Sequence, residues 1–222
     1  MSKAQTPEEI LSTQRLEAFS DSVFAIVMTL LFIELRLPEI KAEPDWRELL
    51  TVIFNLSPKF LSIFISFTFV GIFWVAHHQF FRTLKRTTRG LLWLNLVFLF
   101  LVCFVPFPAA IMSEFPDNRT SVVFFGATVL LTSIFLVVLR WYAWIKHEEI
   151  SDVSDDSAIR QALGRGLIMI GIYAVGVIVS FFHPISAIVI YLLTPLTLLF
   201  PVKINIETEG ESGETEKTEI AL

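Results

Sequence analysis

Charged and hydroxyl side chains stand at the start of the first long apolar segment, which runs from residue 15 to residue 35. Arg15, Ser20 and Asp21 lie at its beginning, and Thr29 lies in its middle. Because charge is costly inside a membrane, such residues mark a candidate functional site by default. The Asp21 carboxylate could carry a proton or bind a cation. It could equally be a structural hydrogen-bond acceptor for Arg15 or for polar groups on neighbouring helices.

A second polar group stands late in the second apolar segment, where Trp74 is followed by His77 and His78. On a helix these three side chains share a face, since residues three and four apart are neighbours. A histidine pair that binds metal on one helix is best placed four residues apart, whereas these two are adjacent, so no metal site is predicted. A hydrogen-bonded anchor for Ser20 or Asp21 is the favoured interpretation. Asn95, at a similar depth in the third segment, could join it.

The sequence contains no recognisable catalytic or filter motif. It has no potassium-channel filter sequence, no arginine-rich voltage sensor, no nucleotide-binding P-loop and no HExxH zinc motif. The single cysteine, Cys103, lies in an apolar run and is predicted to be a buried small hydrophobic residue. We therefore expect a protein that is not an enzyme and that carries no cofactor.

Composition places these residues in a membrane. Of the 222 residues, 54% are hydrophobic and only 18% are charged, with a mean hydropathy of +0.67. A helical span needs about 20 mostly apolar residues. Six segments qualify, which predicts an all-α integral membrane protein with six spans. They are residues 16–37, 55–81, 90–113, 121–145, 160–182 and 185–202.

Proline marks two of the span boundaries. The apolar run from residue 49 to residue 81 is too long for one span, and Pro58 suits the first turn of a helix, so we place the second span after it. His183 and Pro184 alone join the fifth and sixth spans, which predicts a tight hairpin.

Lysine and arginine, rather than net charge, predict the orientation. With six spans, the two termini and the second–third and fourth–fifth loops share one side of the membrane. That side carries twelve of these residues: Lys3, Arg15, Arg82, Lys85, Arg86, Arg89, Arg140, Lys146, Arg160, Arg165, Lys203 and Lys217. The other side carries four: Arg36, Lys41, Arg47 and Arg119. Both termini are therefore predicted to be cytoplasmic.

The net charge of -5 comes from the end of the chain. Residues 207–222 hold six glutamates and one lysine, so the remainder is neutral and no nucleic-acid partner is indicated. We predict a cytoplasmic segment over residues 1–15, a six-span membrane domain over 16–205 and a disordered acidic tail over 206–222. The acidic loop 147–157 lacks EF-hand spacing and is expected to be solvated. No cleaved signal peptide is expected at the start.

One face of the first predicted helix is a continuous stripe. At about 100° per residue, the side chains of this stripe fall within about 60° of Ile26, whereas Ser20 and Asp21 point away. The stripe comprises Phe19, Ser22, Ile26, Thr29, Leu30, Ile33 and Leu37. It could pack against another helix, as most apolar membrane stripes do. Alternatively it could face a pore, with its aliphatic residues as hydrophobic constrictions and its hydroxyls replacing part of an ion's hydration.

The pattern Arg15-x-x-x-Phe19-Ser20-Asp21 at the entrance of the first span resembles the signature of the transmembrane protein 175 family. Trp74-x-x-His77 late in the second span is also similar to that family. Its members are potassium channels of endosomes and lysosomes, with bacterial and archaeal relatives. The resemblance covers about residues 10–205.

The resemblance implies a homotetramer, because this chain has one six-span repeat where animal members have two. Four first helices would line a central pore. In that arrangement Ile26 matches the family's pore isoleucine, Leu30 and Ile33 match further pore-facing apolar positions, and Thr29 matches a hydroxyl position linked to potassium preference. Thr29 and Ser22 are therefore the residues that we expect to set the preference of the pore for potassium.

A second set of residues is implied to hold the pore helix against its neighbours. It comprises Arg15, Phe19, Ser20, Asp21, Trp74 and His77, with Asn95 added from the depth argument.

The resulting prediction is a passive, potassium-permeable cation channel with a modest preference for potassium over sodium. It would lie in a prokaryotic plasma membrane, where its partners are the lipid bilayer, monovalent cations and its own copies. Two alternatives stay open. One is a proton-coupled transporter that uses Asp21 and His77, and the other is a membrane scaffold that conducts nothing.

Overall fold

The computed structural model describes residues 13–33, 35, 38, 45–146 and 156–195, with the side chains of 156–160 left out. The described part is all-helical, as predicted. Its helices are α1 (Thr13–Ile33), α2 (Trp46–Asn55), α3 (Ser57–Phe81), α4 (Arg89–Phe104), α5 (Pro106–Glu114), α6 (Arg119–Ile145), α7 (Asp156–Ser180) and α8 (Pro184–Leu193). The first twelve residues, most of the fourth–fifth loop and the acidic tail fall outside the described residues, so the predictions made for them stay predictions.

Within the described residues, five stretches are long and apolar enough to cross a membrane. They are α1, α3, α4 together with α5, α6, and residues 161–180 of α7. These match the first five predicted spans. The sixth, predicted over 185–202, begins as α8, which is ten residues long. Its remaining residues from 196 onward lie beyond the described part, so a complete sixth span stays a prediction.

The third span is divided at Val105 into α4 and α5, although the sequence analysis treated it as one uninterrupted helix. Pro106 has no N–H, so the Val102 carbonyl loses its usual partner and accepts instead from the Val105 N–H at 3.2 Å. Beyond this point, the Ser62 hydroxyl of α3 donates to the Ala109 carbonyl of α5 at 2.8 Å. The proline therefore explains the interruption, and a hydrogen bond joins α3 to α5.

The second span begins where proline predicted it. α3 starts at Ser57 with Pro58 in its first turn. The preceding residues form a separate helix, α2, which the sequence analysis missed. The Asp45 carboxylate caps it by accepting from the Trp46 N–H at 2.7 Å. None of the residues of α2 is buried in the single chain.

The core of the chain is built around Phe69 of α3. Its ring lies 6.0 Å from that of Phe125, 5.3 Å from that of Tyr173 and 6.2 Å from that of Tyr191. α8 reaches this core because Gly126 of α6 has no side chain at the point where the Tyr191 hydroxyl packs. The prediction for Cys103 is wrong, since its side chain is exposed. The buried face of α4 passes instead through Leu101 and Val102.

Candidate ion pathway and its polar anchor

One face of α1 is buried against its own chain. The buried residues recur every three or four positions, which places them on one side of the helix. They are Leu16, Ser20, Phe24, Val27 and Leu31. This side packs mainly against α3 and α4. Four of the five are apolar, so hydrophobic packing fixes which way α1 faces.

The predicted stripe lies on the uncovered side of α1. Ile26 is 58% exposed, Leu30 41% and Ile33 59%, and Ser22 and Thr29 are exposed as well. Within the described residues, therefore, packing inside the chain is not the role of this stripe. A pore, another copy of the chain or lipid remains as the surface that it faces.

Both hydroxyls of the stripe bond to their own helix. The Ser22 hydroxyl donates to the Ala18 carbonyl at 2.8 Å, and the Thr29 hydroxyl donates to the Ile26 carbonyl at 2.7 Å. Such bonds satisfy the hydroxyl hydrogen within the helix. The rotation of each side chain is thereby fixed by its own backbone.

A buried chain of hydrogen bonds ties α1 to α3 and α4. His77 Nε2 lies 2.8 Å from Asn95 Oδ1, and Asn95 Nδ2 donates to Ser20 Oγ at 3.0 Å. Ser20 Oγ in turn donates to the Leu16 carbonyl at 2.8 Å. Since the Asn95 oxygen can only accept, His77 carries its proton on Nε2 in this arrangement. All three side chains are fully buried.

Aromatic rings fix the imidazole of His77. The Phe98 ring is stacked on it at 5.5 Å between centroids, and the Phe81 ring at 4.3 Å. The ring of Phe24 from α1 lies 5.6 Å away. His77 is therefore held by packing as well as by hydrogen bonding.

A second, half-buried pair of contacts links α1 to α3. The indole Nε1 of Trp74 donates to Asp21 Oδ1 at 2.9 Å. One turn nearer the start of α1, Glu17 Oε1 lies 3.1 Å from His78 Nδ1. The rings of Trp74 and His78 stack with centroids 5.9 Å apart.

The structure brings together five of the seven residues predicted to hold α1: Ser20, Asp21, Trp74, His77 and Asn95. Arg15 and Phe19 are exposed on α1. They are not brought to Trp74 or His77 in the single chain, so contacts that they make in an assembly stay a prediction.

Sequence reasoning missed Arg140 of α6, which it counted only as a charge at the cytoplasmic side. One of its terminal nitrogens donates to the Ala76 carbonyl of α3 at 2.6 Å, and the other to the Ala162 carbonyl of α7 at 3.4 Å. A lone cation within the apolar segment 121–145 was the available signal. Glu17 and His78 were also missed as a pair, because their contact depends on how two helices are rotated against each other.

Comparison with known proteins identifies relatives that match most of the chain. Residues 15–106 match the model of the family described as endosomal/lysosomal potassium channel TMEM175. A protein of Chryseobacterium sp. (strain P1-3), named a potassium channel, is 32% identical over 192 residues, which cover 85% of this chain and 93% of that protein. The chain belongs to the TMEM175 family. The resemblance identified from the sequence is therefore confirmed.

A solved bacterial structure and a human protein are also similar to this TMEM175 member. The crystal structure of a lysosomal potassium-selective channel TMEM175 homologue from Chamaesiphon minutus matches with a TM-score of 0.74 at 27% identity. The match covers 84% of this chain and 96% of that one. A human relative named endosomal/lysosomal proton channel TMEM175 is 34% identical over 148 residues, covering 63% of this chain but only 29% of that protein. The residues matched by the family model include the stripe and the residues of the polar anchor, which are Ser20, Asp21, Trp74, His77 and Asn95.

Proposed function

We propose that this chain is a subunit of a homotetrameric, potassium-permeable channel in which four α1 helices line a central pore. The observation that carries the proposal is the division of α1 into two faces. One face is buried and hydrogen-bonded to α3 and α4, whereas the stripe opposite is covered by nothing in the described chain. Relatives named potassium channel supply the class of ion.

In this proposal the stripe sets the barrier to ions. From Ile26 to Ile33 it extends over about 10 Å of helix, at about 1.5 Å per residue. Rings of Ile26, Leu30 and Ile33 side chains from four subunits form an apolar constriction that gates by dewetting. Thr29 and Ser22 offer hydroxyl oxygens between and before these rings. Potassium has a lower charge density than sodium and is stripped of water at a smaller cost, which gives a modest preference.

The anchor holds the pore helix in place. Ser20, Asn95 and His77 fix its buried face, while Trp74 fixes Asp21 on the flank. Asp21 lies at about 220° from Ile26 on the helical wheel, so we assign it a structural role rather than that of an ion ligand in the pore. The alternative of a proton-coupled transporter would need Asp21 and His77 to exchange protons with water, yet the His77 side chain is fully buried.

The proposed membrane is a prokaryotic plasma membrane. The lysine and arginine distribution supports cytoplasmic termini, with α8 starting a sixth span that returns the chain to that side.

The test is ion flux through Ile26→Asn protein in planar bilayers. Asparagine hydrates the constriction, so unitary conductance or leak should rise severalfold. Ile178→Asn is the matched control, because Ile178 of α7 is 59% exposed, like Ile26, but lies outside the stripe. Unchanged currents in well-folded Ile26→Asn protein would place Ile26 outside the pore.

The same preparation separates the alternatives. Unitary currents carried by potassium support a channel. Saturable flux that requires a proton gradient supports the transporter, and absence of any flux supports the scaffold. Comparing potassium, sodium and proton gradients also tells whether this chain conducts protons, as the name of the human relative says of that protein.

A further inference from the structure

We propose that Glu17, Asp21 and His78 form a binding site for one divalent transition-metal ion at the flank of α1. The three residues each offer one ligand atom, and these atoms lie within 4.8 Å of one another. The site is separate from the stripe, since Glu17 and Asp21 lie at about 180° and 220° from Ile26 on the helical wheel. A bound ion would therefore join α1 to α3 without entering the proposed pore.

The two helices present matched pairs of side chains. Glu17 and Asp21 are four residues apart on α1, and Trp74 and His78 are four residues apart on α3, so each pair shares one face of its helix. Glu17 Oε1 is already 3.1 Å from His78 Nδ1. Ligand atoms bound to one zinc ion at about 2.0–2.2 Å are roughly 3–3.5 Å from each other. The Glu17–His78 distance already fits, and the Asp21 carboxylate, whose ligand atom lies within 4.8 Å of the other two, needs only a small shift to become the third ligand.

A second observation concerns the ring nitrogen of His78. Its Nδ1 is closed to solvent and makes no hydrogen bond, even though the Glu17 oxygen is near, because the contact lacks hydrogen-bond geometry. Buried nitrogens are normally hydrogen-bonded, so such an atom calls for an explanation. In the tautomer with its proton on Nε2, Nδ1 keeps its lone pair, and this neutral form of the ring is the one that binds metal.

The surroundings hold two of the ligands in place. The Trp74 indole donates to Asp21 Oδ1, which orients the carboxylate and leaves Oδ2 free. The same indole stacks on the His78 ring. Outer contacts of this kind are what keep metal ligands in position. Two carboxylates balance a divalent charge, and one imidazole with two carboxylates suits zinc, iron, nickel or manganese better than calcium.

Zinc is the probe for the experiment. Zn²⁺ alone is titrated by calorimetry into the purified full-length protein in detergent, and the native chain should bind one ion per chain. Glu17→Gln and His78→Ala should each weaken binding by at least about tenfold, because each removes a ligand and even the loss of a residue that only supports a ligand costs about 10–100-fold. His183→Ala, which removes a histidine at the α7–α8 hairpin, should bind like the native chain.

Several outcomes would overturn the proposal. They are native-like zinc affinity in either Glu17→Gln or His78→Ala protein, loss of binding in His183→Ala protein, or no binding by the native chain at micromolar zinc. Size-exclusion elution checks that each variant is folded. Glu17→Gln keeps the size of the native side chain, so it tests the site even where His78→Ala does not fold.

Discussion

Replacing Asn95 by leucine removes both hydrogen bonds that join α3, α4 and α1 at the buried anchor. Leucine has nearly the same size, so the change deletes polarity without opening a cavity. Hydrogen bonds between membrane helices contribute about 0.6 kcal/mol on average and up to about 1.7 kcal/mol each. Two bonds therefore predict a loss of about 1–3 kcal/mol. For a chain of this size, each kcal/mol lowers the Tm by roughly 2–4 °C, so we expect a decrease of about 2–12 °C in all.

The same contacts predict an unequal pattern among single changes. Ser20→Ala removes only the acceptor for Asn95 Nδ2, so it should lose about half as much stability as Asn95→Leu. Because the Ser20–Asn95 bond is already absent in Asn95→Leu protein, adding Ser20→Ala should change little further. A double-mutant cycle on thermal unfolding in detergent measures this coupling, which we expect at about 0.6–1.7 kcal/mol.

The control is Asn55→Leu, the same substitution at an exposed position at the end of α2. It should leave the Tm within about 1 °C of the native value, as surface changes usually do. Equal stability of Asn95→Leu and native protein, or strict additivity of Ser20→Ala with Asn95→Leu, would refute the assignment of Ser20, Asn95 and His77 as an anchor for α1.

Two further substitutions test contacts elsewhere in the chain. Gly126→Ala places a methyl group against the Tyr191 hydroxyl and should lower stability by about 1–3 kcal/mol in thermal unfolding. Gly126→Ala/Tyr191→Phe protein should recover only part of this loss, because the ring carbon Cζ stays 2.8 Å from the added methyl group. Asp21→Ala removes the acceptor for the Trp74 indole and should reduce the assembled fraction on size exclusion, whereas Asp21→Asn keeps an oxygen and should assemble nearly as the native chain. Equal loss in both would mean that the charge, rather than the hydrogen bond, matters there.

The sequence predicted the spans because length and apolar composition are sufficient for that purpose. Residues 16–37 and 121–145 became α1 and α6 with ends shifted by a few residues. The directions of the side chains on α1 followed from helical periodicity alone, so Ser20 turned out buried and Ile26 exposed. The position of Asn95 along the third predicted span also placed it at the right depth to reach Ser20.

What the sequence could not predict are contacts that depend on the rotation and bending of neighbouring helices. Arg140 reaches α3 and α7 because α6 packs against both helices, and the sequence around Arg140 does not show which helices those are. The interruption at Val105 could not be predicted because the sequence does not show whether Pro106 lies inside a span or ends it. The contact of Glu17 with His78 required the register between α1 and α3.

In the proposed pore, the hydroxyls of Ser22 and Thr29 would influence the sign of the ion that passes. Their hydrogens are held by the Ala18 and Ile26 carbonyls, so only oxygen lone pairs are left to point outward. An anion needs hydrogen-bond donors around it, and these two residues have none to offer. A cation finds partial negative charge at both. A ring of such residues would therefore exclude chloride and admit cations without a single formal charge in the lining.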